Sequence, residues 1–212
     1  MCFHSKQSKS AIQVENRFNA KIDALDLFQP QENINGFDFP LTPIITNENP
    51  KIITHYNWGL IPNWSINEDI RKRTLNARIE TIAEKPSFKN SINKRCLVIA
   101  NGFYEWQWLD SKGKNKVKYK IGVGNEDLFA FAGLYSEWTN KETGECKQTY
   151  TIVTTQANAI MSEIHNTKKR MPIILKPDDE NKWLNNDPIQ NFAYPYEVHL
   201  KTEKSSNNLT LF

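Results

Sequence analysis

The chain has 212 residues, a formal net charge of +3 and a hydrophobic content of 39%, values that exclude an intrinsically disordered protein. Its three cysteines are an odd number without CxxC spacing, which argues against a disulfide scaffold and a zinc knuckle and fits a reducing compartment. No apolar run reaches the ~20 residues of a membrane helix, and the N-terminus has no apolar signal-peptide core, so we expect a cytoplasmic protein.

The N-terminal half predicts few regular elements. Residues 13–27, within a polar and mixed segment, are compatible with a helix. Two prolines disfavour a helix over residues 39–45 and predict an extended segment there. Weak alternation predicts a strand over residues 52–60, and residues 84–92 predict a short helix with a proline in its first turn.

The central and C-terminal parts are richer in β-branched and aromatic residues, which favour strands. The predicted elements are strands over 96–108, 117–123, 129–138, 149–155 and 173–175, a turn over 110–113, and short helices over 157–165 and 177–184. Hairpins outnumber repeated βαβ units in this order. The sequence therefore predicts an α+β fold: a single domain over residues 1–212 with a mainly antiparallel, barrel-like β core and short flanking helices.

Cys2 is the first residue whose position indicates chemistry. If Met1 is removed, Cys2 carries a free thiol beside an α-amine that titrates near ~7.7–8.0. Such a 1,2-aminothiol condenses with an aldehyde: the amine forms an imine, the thiol adds to it, and a five-membered thiazolidine closes. A cysteine at a frayed terminus without any function is the alternative.

Three further segments suggest a reactive site, each with an ordinary alternative. If residues 76–80 are extended, Asn76 and Arg78 share a face, where they could orient an amine and bind a phosphate, although an arginine paired with an acid is commoner. Glu105 is a general acid or base if it points inward among its aromatic neighbours, and a surface carboxylate if it points outward. His165 could move protons beside a basic cluster, or be solvent-exposed at a helix end.

Aromatic and basic residues suggest a nucleic-acid partner. The six tryptophans, which include Trp58, Trp64 and Trp106, could be core residues or stacking platforms for bases. Residues 85–120 hold nine Lys or Arg and two acids, a local charge of +7 that could attract a polyanion. The lysines between 112 and 120 alternate and could equally form the solvated face of a hairpin.

Seven segments in chain order together resemble the SOS-response-associated peptidase (SRAP) family, whose members shield abasic sites in DNA. They cover most of residues 1–184. The segments are Met1-Cys2, Trp58-Gly59-Leu60-Ile61-Pro62-Asn63-Trp64, Asn76-Ala77-Arg78-Ile79-Glu80-Thr81, Arg95-Cys96-Leu97-Val98, Gly102-Phe103-Tyr104-Glu105-Trp106, Phe131-Ala132-Gly133-Leu134-Tyr135 and Arg170-Met171-Pro172-Ile173-Ile174-Leu175.

The resemblance implies an enzyme that removes its own Met1 and then captures the aldehyde of an abasic site, in single-stranded or junction DNA, as a thiazolidine crosslink with lyase-like reversal. By the same resemblance Asn76 would hold the Cys2 amine, Glu105 would transfer protons and His165 would assist sugar ring opening and crosslink reversal. It also implies a set of DNA contacts: Arg78 to a flanking phosphate, with Trp58, Trp64, Trp106 and Arg170. We expect no cofactor, no metal and no membrane, and a monomer.

The chain departs from the family pattern at three places. Phe3 and His4 follow Cys2, whereas the family usually has glycine and arginine, so a phosphate contact at position 4 is weakened. His165 lies five positions before Arg170, whereas the family usually has histidine two positions before this arginine, which requires a local insertion. The tail after about residue 185 matches none of the seven segments.

Two other functions compete with this interpretation. Cys2, Glu105 and His165 would also suit an N-terminal-nucleophile cysteine peptidase or hydrolase. The basic and aromatic residues would also suit a non-catalytic nucleic-acid-binding module, in which Cys2 would be dispensable.

Overall fold

The computed structural model of the protein describes residues 2–125 and 127–205. The helices of these ranges are α1 Ala11–Phe18, α2 Ala159–Ile164 and α3 Pro177–Leu184. Their strands are β1 His4–Gln7, β2 Lys21–Ile22, β3 Gln31–Asn35, β4 Leu41–Thr46, β5 Ile52–Trp58, β6 Asn76–Arg78, β7 Arg95–Ala100, β8 Gly102–Trp108, β9 Lys116–Gly122, β10 Phe129–Thr139, β11 Cys146–Gln156, β12 Arg170–Pro172, β13 Ile174–Leu175 and β14 Lys201–Lys204. No helix within these ranges is both long and apolar enough to span a membrane.

The larger sheet closes into a five-stranded barrel. Its strands pair antiparallel in the order β11, β10, β7, β4 and β5, and β5 then pairs parallel with β11 at Thr149 and Asn57. Closure leaves these strands without a free edge. The predicted α+β class, with a mainly antiparallel barrel-like core and short helices, is confirmed.

A second sheet of five strands lies against this barrel, in the order β14, β9, β8, β1 and β3. The N-terminal strand β1 lies inside this sheet, where it pairs antiparallel with β8 on one side and with the edge strand β3 on the other. The C-terminal strand β14 pairs with β9 and extends the sheet. The tail, which the sequence left unassigned, therefore adds a strand to the sheet that contains the N-terminus.

The buried residues divide into two clusters, one on each face of β7. Cys96 and Val98 pack in a cluster with Phe103 of the second sheet, together with Trp58 and Tyr150 of the barrel. The alternate residues Leu97 and Ile99 pack in a cluster that also includes α1 and α3. Strand β7 is buried on both faces, and for this reason its sequence shows no polar alternation.

Three predicted elements are corrected. The helix predicted over 13–27 is the shorter α1, which ends where Asn19 adopts a left-handed conformation (φ 48°). The helix predicted over 84–92 is a series of turns with one 3-10 turn, Lys89–Ser91. The strand predicted over 96–108 is two strands in different sheets, because the chain bends at Asn101, whose N–H donates to the carbonyl of Lys6 in β1.

Candidate active site

Cys2 is held just before the interior strand β1 rather than at a frayed terminus. The carbonyl of the next residue, Phe3, accepts a hydrogen bond from the Gly36 N–H (2.8 Å), which continues the β1–β3 ladder up to this point. Gly36 in turn lies against the Trp58 ring, where a Cβ would sit only 3.1 Å from Cε3. Cys2 is 0% exposed. Cys2 therefore lies in an ordered and buried position, and its function stays a prediction.

Asn76 binds the backbone of Cys2 directly. Strand β6 runs parallel to β11, and this pairing places the Asn76 side chain so that Nδ2 donates to the Cys2 carbonyl at 2.9 Å. The other end of the amide, Oδ1, is buried and has no hydrogen-bond partner in the part of the chain that the structure describes. A buried acceptor without a donor is costly, so this atom is an acceptor available to an N–H group near Cys2.

Glu105 points inward, which settles the two orientations left open by the sequence. It shares the inner face of β8 with Phe103 and is only 5% exposed. Burial raises the pKa of Glu105 to about 7, because the charged form loses its hydration. Burial, and next the charge of Glu105, also raise the pKa of the Cys2 thiol. The two groups are thus electrostatically coupled, and the thiol stays protonated while Glu105 titrates near neutral pH.

His165 lies at the end of α2 and is 7% exposed. Its Nδ1 lies 3.1 Å from the backbone N of Arg170 and 3.0 Å from the Arg170 carbonyl oxygen. Burial lowers the pKa of His165 to about 4, so the ring is neutral at physiological pH. The predicted insertion forms a turn, in which Lys169 has positive φ and donates its N–H to the His165 carbonyl, and this turn returns the chain to His165.

Two predicted DNA contacts are corrected to interior roles. Trp58 is fully buried, stacks on Tyr150 (ring centroids 6.2 Å apart) and donates from Nε1 to the Leu75 carbonyl, so no ring face is open to a base. Both Nη atoms of Arg170 donate to the Glu80 carboxylate at 2.8 Å, and Nη2 also donates to the Thr154 carbonyl. Glu80 lies in the segment 76–81 that the sequence indicates as functional. The sequence does not predict its pairing with Arg170, because the two residues are 90 positions apart.

The remaining predicted contacts are accessible. Arg78 is exposed at the end of β6, two residues from Asn76. Trp64 is 47% exposed, with Nε1 donating to the Pro86 carbonyl. Trp106 is partly exposed on the outer face of β8, where the His4 ring meets it edge-on at 4.9 Å. These three side chains stay predicted DNA contacts.

The Arg170–Glu80 pair gives a first testable prediction. Arg170 is almost buried, whereas the Glu80 side chain is 42% exposed and can be solvated when alone. We expect Arg170→Leu to lower the free energy of unfolding by about 2 kcal/mol, less than for a fully buried pair. Urea denaturation measures the loss, with Lys72→Gln, in an exposed pair with Asp69, as the control that changes little. A loss as small as that of the control would contradict this role.

Comparison with known proteins identifies the family of this chain. A family model described as SOS response associated peptidase (SRAP) matches residues 1–209. The chain is 40% identical over 177 residues to the "Abasic site processing protein YoqW" of Bacillus subtilis (strain 168). This alignment covers 81% of this chain and 76% of YoqW. It is also 32% identical over 190 residues to the "Abasic site processing protein HMCES" of Xenopus tropicalis. This alignment covers 74% of this chain and 56% of HMCES.

Solved structures share the fold. A protein from Bacteroides thetaiotaomicron is 38% identical, with a TM-score of 0.86 over 97% of this chain and 93% of that one. A protein from Bordetella bronchiseptica, at 21% identity and a TM-score of 0.80, supports the fold alone. The family model matches nearly the whole chain, and relatives such as YoqW are about 40% identical to it. The chain therefore belongs to the SOS response associated peptidase (SRAP) family.

Proposed function

We propose that the protein shields abasic sites in single-stranded DNA by forming a covalent thiazolidine crosslink through Cys2 after removal of Met1. One observation carries the proposal. A buried cysteine at position 2 is fixed by Asn76 and coupled to Glu105, a carboxyl group with a pKa of about 7. The names of the relatives, which are abasic site processing proteins, indicate the same kind of substrate.

The proposed chemistry has three steps after hydrolysis of the Met1–Cys2 peptide bond. The abasic deoxyribose opens to its aldehyde. The Cys2 amine attacks C1′ and a carbinolamine forms, which loses water to give an imine. The thiol sulfur then adds to the same carbon, its proton passes to the nitrogen, and the ring N–Cα–Cβ–S–C1′ closes. The net reaction joins aldehyde and aminothiol with loss of one water.

Glu105 is assigned the proton transfers of this sequence. Because the Cys2 thiol is protonated in its buried position, it needs a base at the moment it attacks. A carboxyl group with a pKa near 7 is present in both forms at neutral pH, so it can protonate the leaving hydroxyl of the carbinolamine and accept the proton of the thiol. Asn76 Oδ1 is the acceptor that would orient the amine.

His165 is assigned to sugar ring opening and to reversal of the crosslink. Its neutral ring can accept a proton, which an imidazolium cannot do. The Arg170 backbone at Nδ1 fixes the ring, and the Glu80 pair fixes Arg170. Arg170 is thus a positioning residue in this proposal. Arg78, Trp64 and Trp106 are the accessible groups assigned to the DNA strand.

A denaturing gel tests the proposal. Protein shown by intact mass to lack Met1 is mixed with single-stranded DNA that carries one abasic site, with intact DNA as the control. A slow band that survives denaturation only with the abasic strand supports covalent aldehyde capture. No such band, together with repeated turnover of a peptide substrate, would favour the cysteine peptidase instead.

A further inference from the structure

The outer face of the second sheet carries a group of paired aromatic and lysine side chains. On β8, Tyr104, Trp106 and Trp108 alternate with the inward Phe103 and Glu105 and lie on the opposite face of the strand, where Tyr104 is buried and the two tryptophans are partly exposed. The register between β8 and β9 places Trp106 opposite Lys118 and Trp108 opposite Lys116. We call this set the lysine–aromatic face: Tyr104, Trp106, Trp108, Lys116 and Lys118.

The aromatic rings hold the two ammonium groups in place. Lys118 Nζ lies 4.0 Å from the centroid of the Tyr104 ring and 5.6 Å from that of Trp106, and Lys116 Nζ lies 4.9 Å from the Trp108 ring. Among the described residues no carboxylate lies within ion-pair distance of either lysine, in contrast to Lys120, which pairs with Glu203 at 3.1 Å. With respect to residues 2–125 and 127–205, Lys116 and Lys118 are therefore fixed cations without a neutralising partner.

This face is continuous with the N-terminus. His4 stands opposite Tyr104 in the β1–β8 register, and its ring meets the Trp106 ring at 4.9 Å. Burial lowers the pKa of His4 and outweighs the opposing hydrogen bond with Asn33, so the neutral ring predominates at physiological pH. Lys118 is thus the cation beside the strand that presents Cys2.

The other end of the face lies beside the turn that follows His165. The Asn166 side-chain amide forms hydrogen bonds with both backbone groups of Trp108. Its Oδ1 accepts from the Trp108 N–H at 3.2 Å, and its Nδ2 donates to the Trp108 carbonyl at 2.8 Å. Gln107 Nε2 also donates to the Glu163 carbonyl of α2. The hairpin that carries both lysines is thereby tied to the element that positions His165.

We propose that Lys116 and Lys118 bind the phosphate backbone of the single-stranded DNA that flanks the abasic site on one side. The inference rests on the proposed function and names the path of its substrate. Two unneutralised cations on alternate residues of one strand stand about 6.8 Å apart along it, which suits successive phosphates of an extended strand. The aromatic rings already restrict the motion of both lysine side chains. A phosphate contact therefore costs less side-chain entropy.

Binding without chemistry tests this path. Fluorescence anisotropy is measured over a range of salt concentrations with DNA that contains a tetrahydrofuran abasic analogue, which has no aldehyde. We expect Lys116→Gln/Lys118→Gln to reduce the slope of log K against log salt by about 1.4, since each phosphate contact in a single strand contributes about 0.7. Affinity should fall about tenfold or more at low salt, and Lys118→Arg should retain the slope. With oligonucleotides truncated on the side of the analogue that these lysines bind, the wild type and the double variant should show the same slope.

Lys176→Gln is the matched control, because Lys176 also lies over a tyrosine ring, that of Tyr196 at 4.9 Å, but outside this face. An unchanged slope in the double variant, or an equal change in the control, would overturn the proposal. Failure of wild-type protein to crosslink a natural abasic site would instead refute the proposed function, and the two failures are distinguishable because the analogue cannot react. Circular dichroism of each variant excludes unfolding as the cause of a weaker affinity.

Discussion

Cys2→Ala, with Met1 removed, forms no adduct with abasic DNA that survives a denaturing gel. The alanine variant keeps the α-amine, so it can still form an imine, but no sulfur is available to close the ring and the imine hydrolyses. Borohydride, which reduces an imine to a stable amine, should therefore restore a band for this variant. The wild-type adduct should need no reductant. A stable unreduced adduct from Cys2→Ala would contradict the thiazolidine.

Two controls separate chemistry from folding in this experiment. Cys146→Ala removes an exposed thiol that is not in the site and should crosslink at the wild-type rate. Cys2 is fully buried, and its truncation leaves a small cavity that costs about 1 kcal/mol, so the variant should stay folded at room temperature. Thermal unfolding followed by circular dichroism checks this.

Glu105→Gln slows crosslink formation by about 10²–10³-fold at pH 7, within the range for loss of a general acid–base group. Glutamine preserves the shape of the side chain but can neither accept the thiol proton nor protonate the carbinolamine hydroxyl. Quenched time points on a denaturing gel give the rate. Glu163→Gln, on an exposed carboxyl of α2, is the matched control and should leave the rate unchanged. A Glu105→Gln rate within a few-fold of wild type would remove Glu105 from the proton transfers.

Glu105→Gln should raise the free energy of unfolding above pH 4.5, although it lowers the rate of crosslinking. The pKa of Glu105 rises from 4.5 to about 7 on folding, so the folded protein binds this proton more tightly than the unfolded chain. Below pH 4.5 both states are protonated and the group costs nothing. Between pH 4.5 and 7 the penalty grows with pH, and above pH 7 it reaches about 3 kcal/mol at most. Urea denaturation should show Glu105→Gln to be more stable than wild type at pH 8 and similar at pH 4.5.

The sequence pointed to the parts of the site but not to their arrangement. Cys2 could be singled out because its chemistry depends on its position in the chain. A contact between Asn76 and Cys2 is implied by the family resemblance, but the residues alone do not predict it, because it depends on β1 lying between β8 and β3 in one sheet and on β6 pairing with β11 in the other. The inward orientation of Glu105 likewise depends on which face of β8 meets the barrel, and alternation alone is symmetric in this respect.

The errors in the predicted elements also have long-range causes. The segment 96–108 is rich in β-branched and aromatic residues on both sides of Asn101, and the hydrogen bond from Asn101 to Lys6, with the separate pairings of β7 and β8, marks where the chain changes sheets. Strands β1 and β3 are polar, so their pairing was missed although it fixes the reactive terminus. The resemblance predicts DNA contacts for Trp58 and Arg170, whereas Trp58 is buried in the core and Arg170 is paired with Glu80.

The most direct test of the account is the mass of the wild-type adduct combined with alkylation of its cysteines. The account predicts a mass equal to the protein without Met1 plus the abasic strand minus one water. It also predicts that after denaturation iodoacetamide alkylates Cys96 and Cys146 but not Cys2, because both the nitrogen and the sulfur of Cys2 are bonded to C1′. An adduct whose Cys2 thiol is alkylated, or one linked through a lysine, would contradict the proposed thiazolidine.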